Sequence, residues 1–164
     1  MDNLSVKEPL IYRRILLTID EDDSESNTRA FRFAITLAHD YDATLGIVSI
    51  LENEDINIFD SLTPTKINEK RIDLKNAVDN YVKMAEENGL KKVEPLVYEG
   101  GDIDDAILER VIPDFKPDLI VTGADTQMPH SKISGAIGPR LAKRAPVSVI
   151  VVRYLLRFVH HVGT

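Results

Sequence analysis

Apolar residues along this chain occur in two patterns, as short continuous runs and as longer stretches in which they recur every three or four positions. Short runs are typical of strands buried on both faces, whereas the longer spacing indicates amphipathic helices. The runs predict five strands, at residues 15–19, 45–51, 93–98, 119–122 and 147–152. The stretches between them predict four helices: residues 26–41, a long helix over 64–88, a short helix over 103–111, and a final helix that ends near Arg144.

The alternation of strands and helices predicts the fold class. Such an order forms a parallel sheet with helices on both faces and right-handed crossovers. Ligands of these sheets bind beyond the carboxyl ends of the strands, near the place where the strand order reverses. Two segments qualify: Thr18-Ile19-Asp20 after the first strand, and the long loop 123–138 after the fourth. Backbone amides in that loop and at the following helix start can hold phosphate, because they are unpaired donors at the positive end of a helix dipole.

Local signals mark several helix ends. Thr63 before Pro64 predicts an N-cap and first-turn pair for the long helix. Gly89 suits the left-handed residue that follows a helix. Asp102, with Asp105 three residues later, resembles a capping box for the short helix.

Composition and charge exclude several classes of function. The 164 residues include 20 basic and 27 acidic side chains, and the net charge of -7 opposes binding to nucleic acid or to anionic membranes. Without cysteine there are no disulfides, thiolate zinc sites or thiol nucleophiles. We read no secretory signal at the amino terminus, and no apolar run approaches the about 20 residues that span a bilayer. We therefore predict a one-domain cytoplasmic protein that binds neither nucleic acid nor membrane.

Patterns typical of enzymes are weak. The four histidines, His39, His130, His160 and His161, have no metal-ligand spacing with a nearby acid, and the serines lack the glycine setting of a nucleophile. The acidic cluster 20–23 is similar to that of receiver domains, but no aspartate that could accept a phosphoryl group follows the third strand. We expect no catalytic residues and no enzymatic activity beyond incidental hydrolysis of a bound nucleotide.

Motifs over residues 12–153 resemble the universal stress protein family. They are Asp20 after the first strand, Asp118-Leu-Ile-Val-Thr-Gly123, Gly135 before a helix, Arg144-Ala-Pro146 and Val149-Ile-Val-Val-Arg153. The resemblance implies an adenine nucleotide alpha hydrolase-like fold, with a five-stranded parallel sheet in the order 3-2-1-4-5 and helices on both faces. It also implies a homodimer and, in many members, a site for ATP or AMP.

The phosphate motif of this family, G-x2-G-x9-G-[ST], is incomplete here. Gly123 and Gly135 match its first and third glycines, but Thr126 stands at the second. Only eight residues separate 126 from 135, and Ala136 replaces the hydroxyl residue. These departures weaken two phosphate contacts. Two functions therefore remain open: a regulator that binds a nucleotide, and a dimeric regulatory or scaffold protein whose vestigial pocket binds none.

The resemblance also implies individual site residues. Asp20 would contact the nucleoside, although a strand-end cap or turn is its structural alternative, and Ile50 would pack on adenine. The implied nucleotide-binding residues are Thr18, Ile19, Asp20, Ile50, Thr122, Gly123, Thr126, Gly135, Ala136, Ile137 and Gly138. His130, Lys132, Ser134 and Arg140 are either further phosphate contacts or solvated loop residues. Magnesium would accompany a triphosphate, without a metal site of the protein alone.

The start of the final helix bears on this site. Pro139 has no amide hydrogen and fits only the first turn of a helix. The helix is therefore predicted to begin near Ile137 or Gly138.

The carboxyl-terminal part of the chain predicts contacts with a partner. The last strand, 147–152, is apolar on both faces, and such an edge favours pairing with a second copy. We divide the chain into a tail at 1–11, the domain at 12–153 and an apolar extension at 154–164. The extension either covers the chain's own sheet or helices, or packs on a partner subunit.

Overall fold

A computed structural model describes residues 7–20, 24–52, 63–124 and 137–153 of the chain. Its five strands form one parallel sheet in the order β3-β2-β1-β4-β5. The strands are β1 (Arg14–Thr18), β2 (Thr44–Leu51), β3 (Val93–Glu99), β4 (Leu119–Gly123) and β5 (Ser148–Val152). The helices are α1 (Ser24–Tyr41), α2 (Pro64–Glu87), α3 (Ile103–Ala106), α4 (Ile112–Phe115) and α5 (Ile137–Arg144), with a π-helical turn (Ile107–Val111) between α3 and α4. The predicted fold class and strand order are confirmed.

The central strand β1 separates two apolar layers. Its residues Ile15, Leu16 and Leu17 are fully buried, as the continuous apolar run predicts. Ile15 and Leu17 belong to one cluster of core residues, while Leu16 belongs to the other. Because β1 pairs with both β2 and β4, the strand order reverses between β1 and β4. The carboxyl ends of these two strands therefore form the crevice in which such sheets bind ligands.

Helices α1 and α2 cover one face of the sheet. On α1, Ala30, Ala34 and Ala38 recur every four residues and are buried, so small side chains bring this helix close to the strands. Phe31 of α1 meets Tyr81 of α2 edge-on, with ring centroids 5.0 Å apart. The other face is covered by α5 and by the helical segment from α3 to α4.

Thr63 and Asp102 occupy the predicted N-cap positions, and Pro64 lies in the first turn of α2, but neither predicted cap forms a side-chain hydrogen bond within the described residues. Thr63 occupies the N-cap of α2, yet in the described structure its hydroxyl makes no cap hydrogen bond. Asp102 occupies the N-cap of α3 and likewise makes no side-chain cap bond to the described residues. The carboxylate of Asp105 accepts a hydrogen bond from Nη1 of Arg144 at 2.8 Å. Asp105 therefore forms a charge-assisted bond to a distant arginine, and the predicted capping box is not formed.

The other helix ends follow the sequence more closely. Gly89 has a φ of +92° beyond the end of α2, as predicted. Helix α5 begins at Ile137 with Pro139 in its first turn, also as predicted. The helical segment that starts at Ile103 continues to Phe115, beyond the predicted end at 111. Pro113 cannot donate a backbone hydrogen bond, and the π-helical turn ends two residues before it, in the preceding turn that a proline disrupts in a regular helix.

Asp118 stabilises the end of the sheet opposite the crevice. Its carboxylate accepts hydrogen bonds from the backbone amides of Arg13 at 2.7 Å and Arg14 at 2.9 Å. The Arg14 guanidinium also lies 4.3 Å from the ring centroid of Phe115. Asp118, one of the residues that carry the family resemblance, therefore has a structural role at the amino ends of β1 and β4.

Candidate functional site

Two threonine hydroxyls meet at the carboxyl ends of β1 and β4. Oγ1 of Thr18 donates a hydrogen bond to Oγ1 of Thr122 at 2.9 Å. Thr122 is buried, and Thr18 is half-buried. The bond joins the two strands at the point where the strand order reverses, so two predicted site residues lie together at the crevice.

Gly138 brings the first turn of α5 onto the same strand ends. A Cβ at this position would lie 3.0 Å from Cγ2 of Val151 and 3.3 Å from Cγ2 of Thr122. Glycine therefore permits the close approach of helix and sheet without displacing these two methyl groups. As a result, the amino end of α5 lies over β4 and β5 at the carboxyl edge. The first amides of a helix have no partner within the helix, and they lie at the positive end of its dipole.

The main chain of Asp20 is held by a side chain of α1. The backbone N–H of Asp20 donates to Oδ1 of Asn27 at 2.9 Å, and Nδ2 of Asn27 donates to the Asp20 carbonyl. Asn27 is only 6% exposed. Our sequence analysis missed this residue. The signal was present, because Asn27 is a polar residue on the helical stripe that continues through Ala30 and Ala34.

Four other predicted residues have mainly strand-pairing or packing contacts. The backbone N–H of Ile19 donates to the Val48 carbonyl at 2.9 Å, which continues the pairing of β1 with β2. Ile50 is 6% exposed and packs in the core under α3 and α5, so its contact with adenine stays a prediction. Ile137 is buried in the same core, and Gly123 ends β4 opposite Val152.

Arg140 lies beside a buried carboxylate of α3. Oδ2 of Asp104 is 3.4 Å from Nε of Arg140 and 2.9 Å from Nη1 of Arg144. Nε of Arg140 is buried and has no hydrogen-bond partner within the described part of the chain. The hydrogen bond that Arg144 donates to Asp105 raises the pKa of Arg144, and Asp104 adds to that rise. These ion pairs attach α5 to α3, while the phosphate contact of Arg140 stays a prediction.

The remaining predicted residues, Thr126, His130, Lys132, Ser134, Gly135 and Ala136, lie outside the described residues. Among residues that are described, no group of three or more His, Cys, Asp or Glu side chains could hold a metal ion. A cavity of about 550 Å³ lies along α1, and no described member of the predicted site lines it.

A comparison of this chain with models of protein families shows which family it belongs to. A model described as the Universal stress protein family matches residues 11–153. The chain belongs to the universal stress protein family. The resemblance carried by Asp20, Gly123 and Gly135 is thereby confirmed. A comparison with curated protein sequences finds no match.

Solved structures of universal stress proteins share the fold. The chain is similar to universal stress protein UspA from Lactobacillus plantarum, with a TM-score of 0.73 and 22% identity over 88% of this chain and 100% of that chain. A universal stress protein in complex with cAMP has a TM-score of 0.62 and 20% identity, over 88% of this chain and 98% of that one. The universal stress protein from Archaeoglobus fulgidus in complex with dAMP has a TM-score of 0.62 and 19% identity, over 87% of this chain and 99% of that chain. The adenine nucleotide alpha hydrolase-like fold is thus confirmed.

Within the described residues, no helix is both long enough and apolar enough to cross a membrane.

Proposed function

We propose that this universal stress protein is a stress-response regulator that binds an adenine nucleotide at the carboxyl ends of β1 and β4. The observation that carries the proposal is the packing of the first turn of α5 on Thr122 and Val151, through Gly138. This packing brings the first turn of α5 over the carboxyl ends of β4 and β5. The reversal of strand order, near which parallel sheets bind phosphate-bearing ligands, lies on the other side of β4. The related proteins in complex with cAMP and dAMP support an adenine nucleotide as the ligand.

In this proposal Asp20 orients the nucleoside, and Ile50 offers an apolar surface to the base. Segments 123–126 and 135–138 hold the ribose and the phosphates, and Arg140 is a candidate cation for them. Magnesium enters with ATP. The protein acts as a cytoplasmic homodimer that signals through its bound state, and hydrolysis is incidental.

The first test is thermal unfolding of the nucleotide-stripped protein with Mg-ATP, AMP, cAMP and dAMP. A ligand at 100 times its Kd stabilises the folded state by about 2.7 kcal/mol, which raises the Tm of a chain of this size by several degrees. Gly135→Asp should abolish the rise, because it places a negative charge in the phosphate segment. Asp20→Ala should reduce the rise without abolishing it, because it removes one nucleoside contact. Asp73→Ala, which removes an exposed carboxylate on α2, is the matched control and should keep it.

A second candidate function is a dimeric regulator whose pocket no longer binds nucleotide. It is favoured by the edge strand β5, where Val149, Ile150, Val151 and Val152 are all only half-buried. No change in Tm with any nucleotide at millimolar concentration would favour this candidate over the first.

A further inference from the structure

Asn27 is a buried amide on the side of α1 whose other residues are apolar. It is 6% exposed, and Ala30, Phe31 and Ala34 continue the same side of the helix. Burial of an amide is unfavourable unless its oxygen and nitrogen are both hydrogen-bonded. The partners of Asn27 therefore explain why this residue can occupy the position.

Both groups of the Asn27 amide bond to a single residue. Oδ1 accepts from the backbone N–H of Asp20 at 2.9 Å, while Nδ2 donates to the carbonyl of Asp20. That N–H belongs to the peptide group before the Asp20 Cα, and the carbonyl belongs to the peptide group after it. Fixing both peptide groups also fixes the direction in which the Asp20 side chain leaves the backbone. An amide suits this task because it donates and accepts in one plane, whereas a carboxylate only accepts.

Helix α2 supports the same amide. Burial raises the pKa of Tyr81, and its hydrogen bonds with Asn27 and Thr28 oppose that rise. The Tyr81 ring is itself held edge-on against Phe31. A chain of contacts thus runs from α2 through Tyr81 and Asn27 to the end of β1.

We infer that Asn27 is a positioning residue for the nucleoside, which fixes the Asp20 carboxylate at the carboxyl end of β1 and is itself held by Tyr81. This inference rests on the proposed function. It assigns Asn27 to recognition of the nucleoside, which is common to AMP and ATP, and not to the terminal phosphates.

The test is calorimetric titration of AMP and Mg-ATP into the nucleotide-stripped full chain, at a temperature where every variant is folded. Asn27→Ala should weaken AMP and ATP by the same factor, about tenfold, the equivalent of one hydrogen bond to a charged or well-ordered group. Asn27→Asp, which keeps the shape and the acceptor but loses the donor, should also weaken both ligands equally. Tyr81→Phe should have a smaller effect in the same direction.

Asn88→Ala is the matched control. Nδ2 of Asn88 also donates to a backbone carbonyl, that of Met84 at 2.8 Å, but at the far end of α2. This variant should lose stability without any change in nucleotide affinity. A purely structural role of Asn27 would give the same result as this control.

A double-mutant cycle separates the inference from the proposed function. If Asn27 acts through Asp20, Asn27→Ala should change AMP affinity little in an Asp20→Ala background. Full AMP affinity in both Asn27 variants, or an undiminished effect in the Asp20→Ala background, overturns the inference alone. Absence of AMP and ATP binding to the unmutated protein overturns the proposed function, and the inference with it.

Discussion

At the scale of single residues, the carboxyl end of β3 shows how contacts across the fold set the properties of a side chain. The Tyr98 hydroxyl donates to Oδ2 of Asp114 at 2.8 Å. Burial, followed by this bond to a carboxylate, raises the pKa of Tyr98 to about 12. On the neighbouring residue the opposite occurs, because two hydrogen bonds from Arg71 lower the pKa of Glu99.

The Tyr98 contact predicts a specific loss of stability in alkali. The unfolded chain loses the Tyr98 proton near its ordinary pKa of 10.0, whereas the folded chain keeps it to about 12. The contribution of this group is therefore complete below pH 10 and is lost as the pH rises towards 12. Tyr98→Phe should flatten the fall of the unfolding free energy over this interval, as measured by urea denaturation.

The partner variant tests the cause. Asp114→Asn replaces the carboxylate with a neutral amide, so the Tyr98 phenol should titrate at a lower pH in ultraviolet absorbance. An unchanged titration would show that burial alone raises the pKa.

At the scale of elements, Gly46 sets the distance between β2 and α4. A Cβ on Gly46 would lie 2.8 Å from Cζ of Phe115 and 3.0 Å from Cδ1 of Leu96. The Phe115 ring is buried, and the Arg14 guanidinium stacks on it. The ring therefore cannot retreat without losing contacts, and the strand needs glycine at this point.

We expect Gly46→Ala to destabilise the protein by about 1 to 3 kcal/mol, the usual cost of overpacking a core. Urea denaturation measures this loss. Phe115→Leu removes the ring atoms that a Cβ at position 46 would meet. The loss of unfolding free energy in the double variant Gly46→Ala, Phe115→Leu should therefore be smaller than the sum of the losses in the two single variants. Strict additivity of the two losses would mean that the contact between Gly46 and Phe115 is not the cause.

At the scale of the whole molecule, the two edges of the sheet differ. The edge strand β3 carries Glu94, Glu99 and Pro95, and charge or proline on an edge discourages pairing with another chain. The edge strand β5 has no charged residue, and four of its five side chains are half-buried and apolar. This asymmetry supports the prediction that a second copy pairs along β5.

Ile150→Lys should therefore give a monomer in sedimentation analysis, because it places a charge in the proposed interface. Val97→Lys is the matched control, since Val97 is an apolar residue, 44% exposed, on the other edge strand. It should leave the dimer mass unchanged. Ile150 also packs on the core beside α1, so thermal unfolding must show that the variant is folded. A folded Ile150→Lys protein that stays dimeric would contradict this interface.

Much of the fold was predictable because its signals are local. The apolar run at Ile15, Leu16 and Leu17 marks a buried strand wherever it stands in the sheet, and the spacing of Ala30, Ala34 and Ala38 marks one face of a helix. Gly89 and Pro139 restrict their own backbone, so their places at helix ends were readable as well. The strand order came from the family motifs, since periodicity carries no information on which strands are neighbours.

The site was predictable only in outline. Segments after β1 and β4 could be chosen because parallel strands present their carboxyl ends at one edge. The bond between Thr18 and Thr122 and the clamp of Asn27 on Asp20 were not foreseen. The capping box at Asp102 does not form, and Asp105 pairs instead with Arg144, 39 residues away.

The sequence by itself therefore determined the elements, their periodic faces and the family, because each depends on neighbours along the chain or on ordered motifs. Only the tertiary structure decided which polar groups meet, such as Asp104 with Arg140 and Arg144. The physical reason is that hydrogen bonds and ion pairs act over a few ångströms, whereas the residues that form them are brought together by packing of the whole core. Local patterns specify which side chains are buried, and the packed fold specifies which residues those side chains contact.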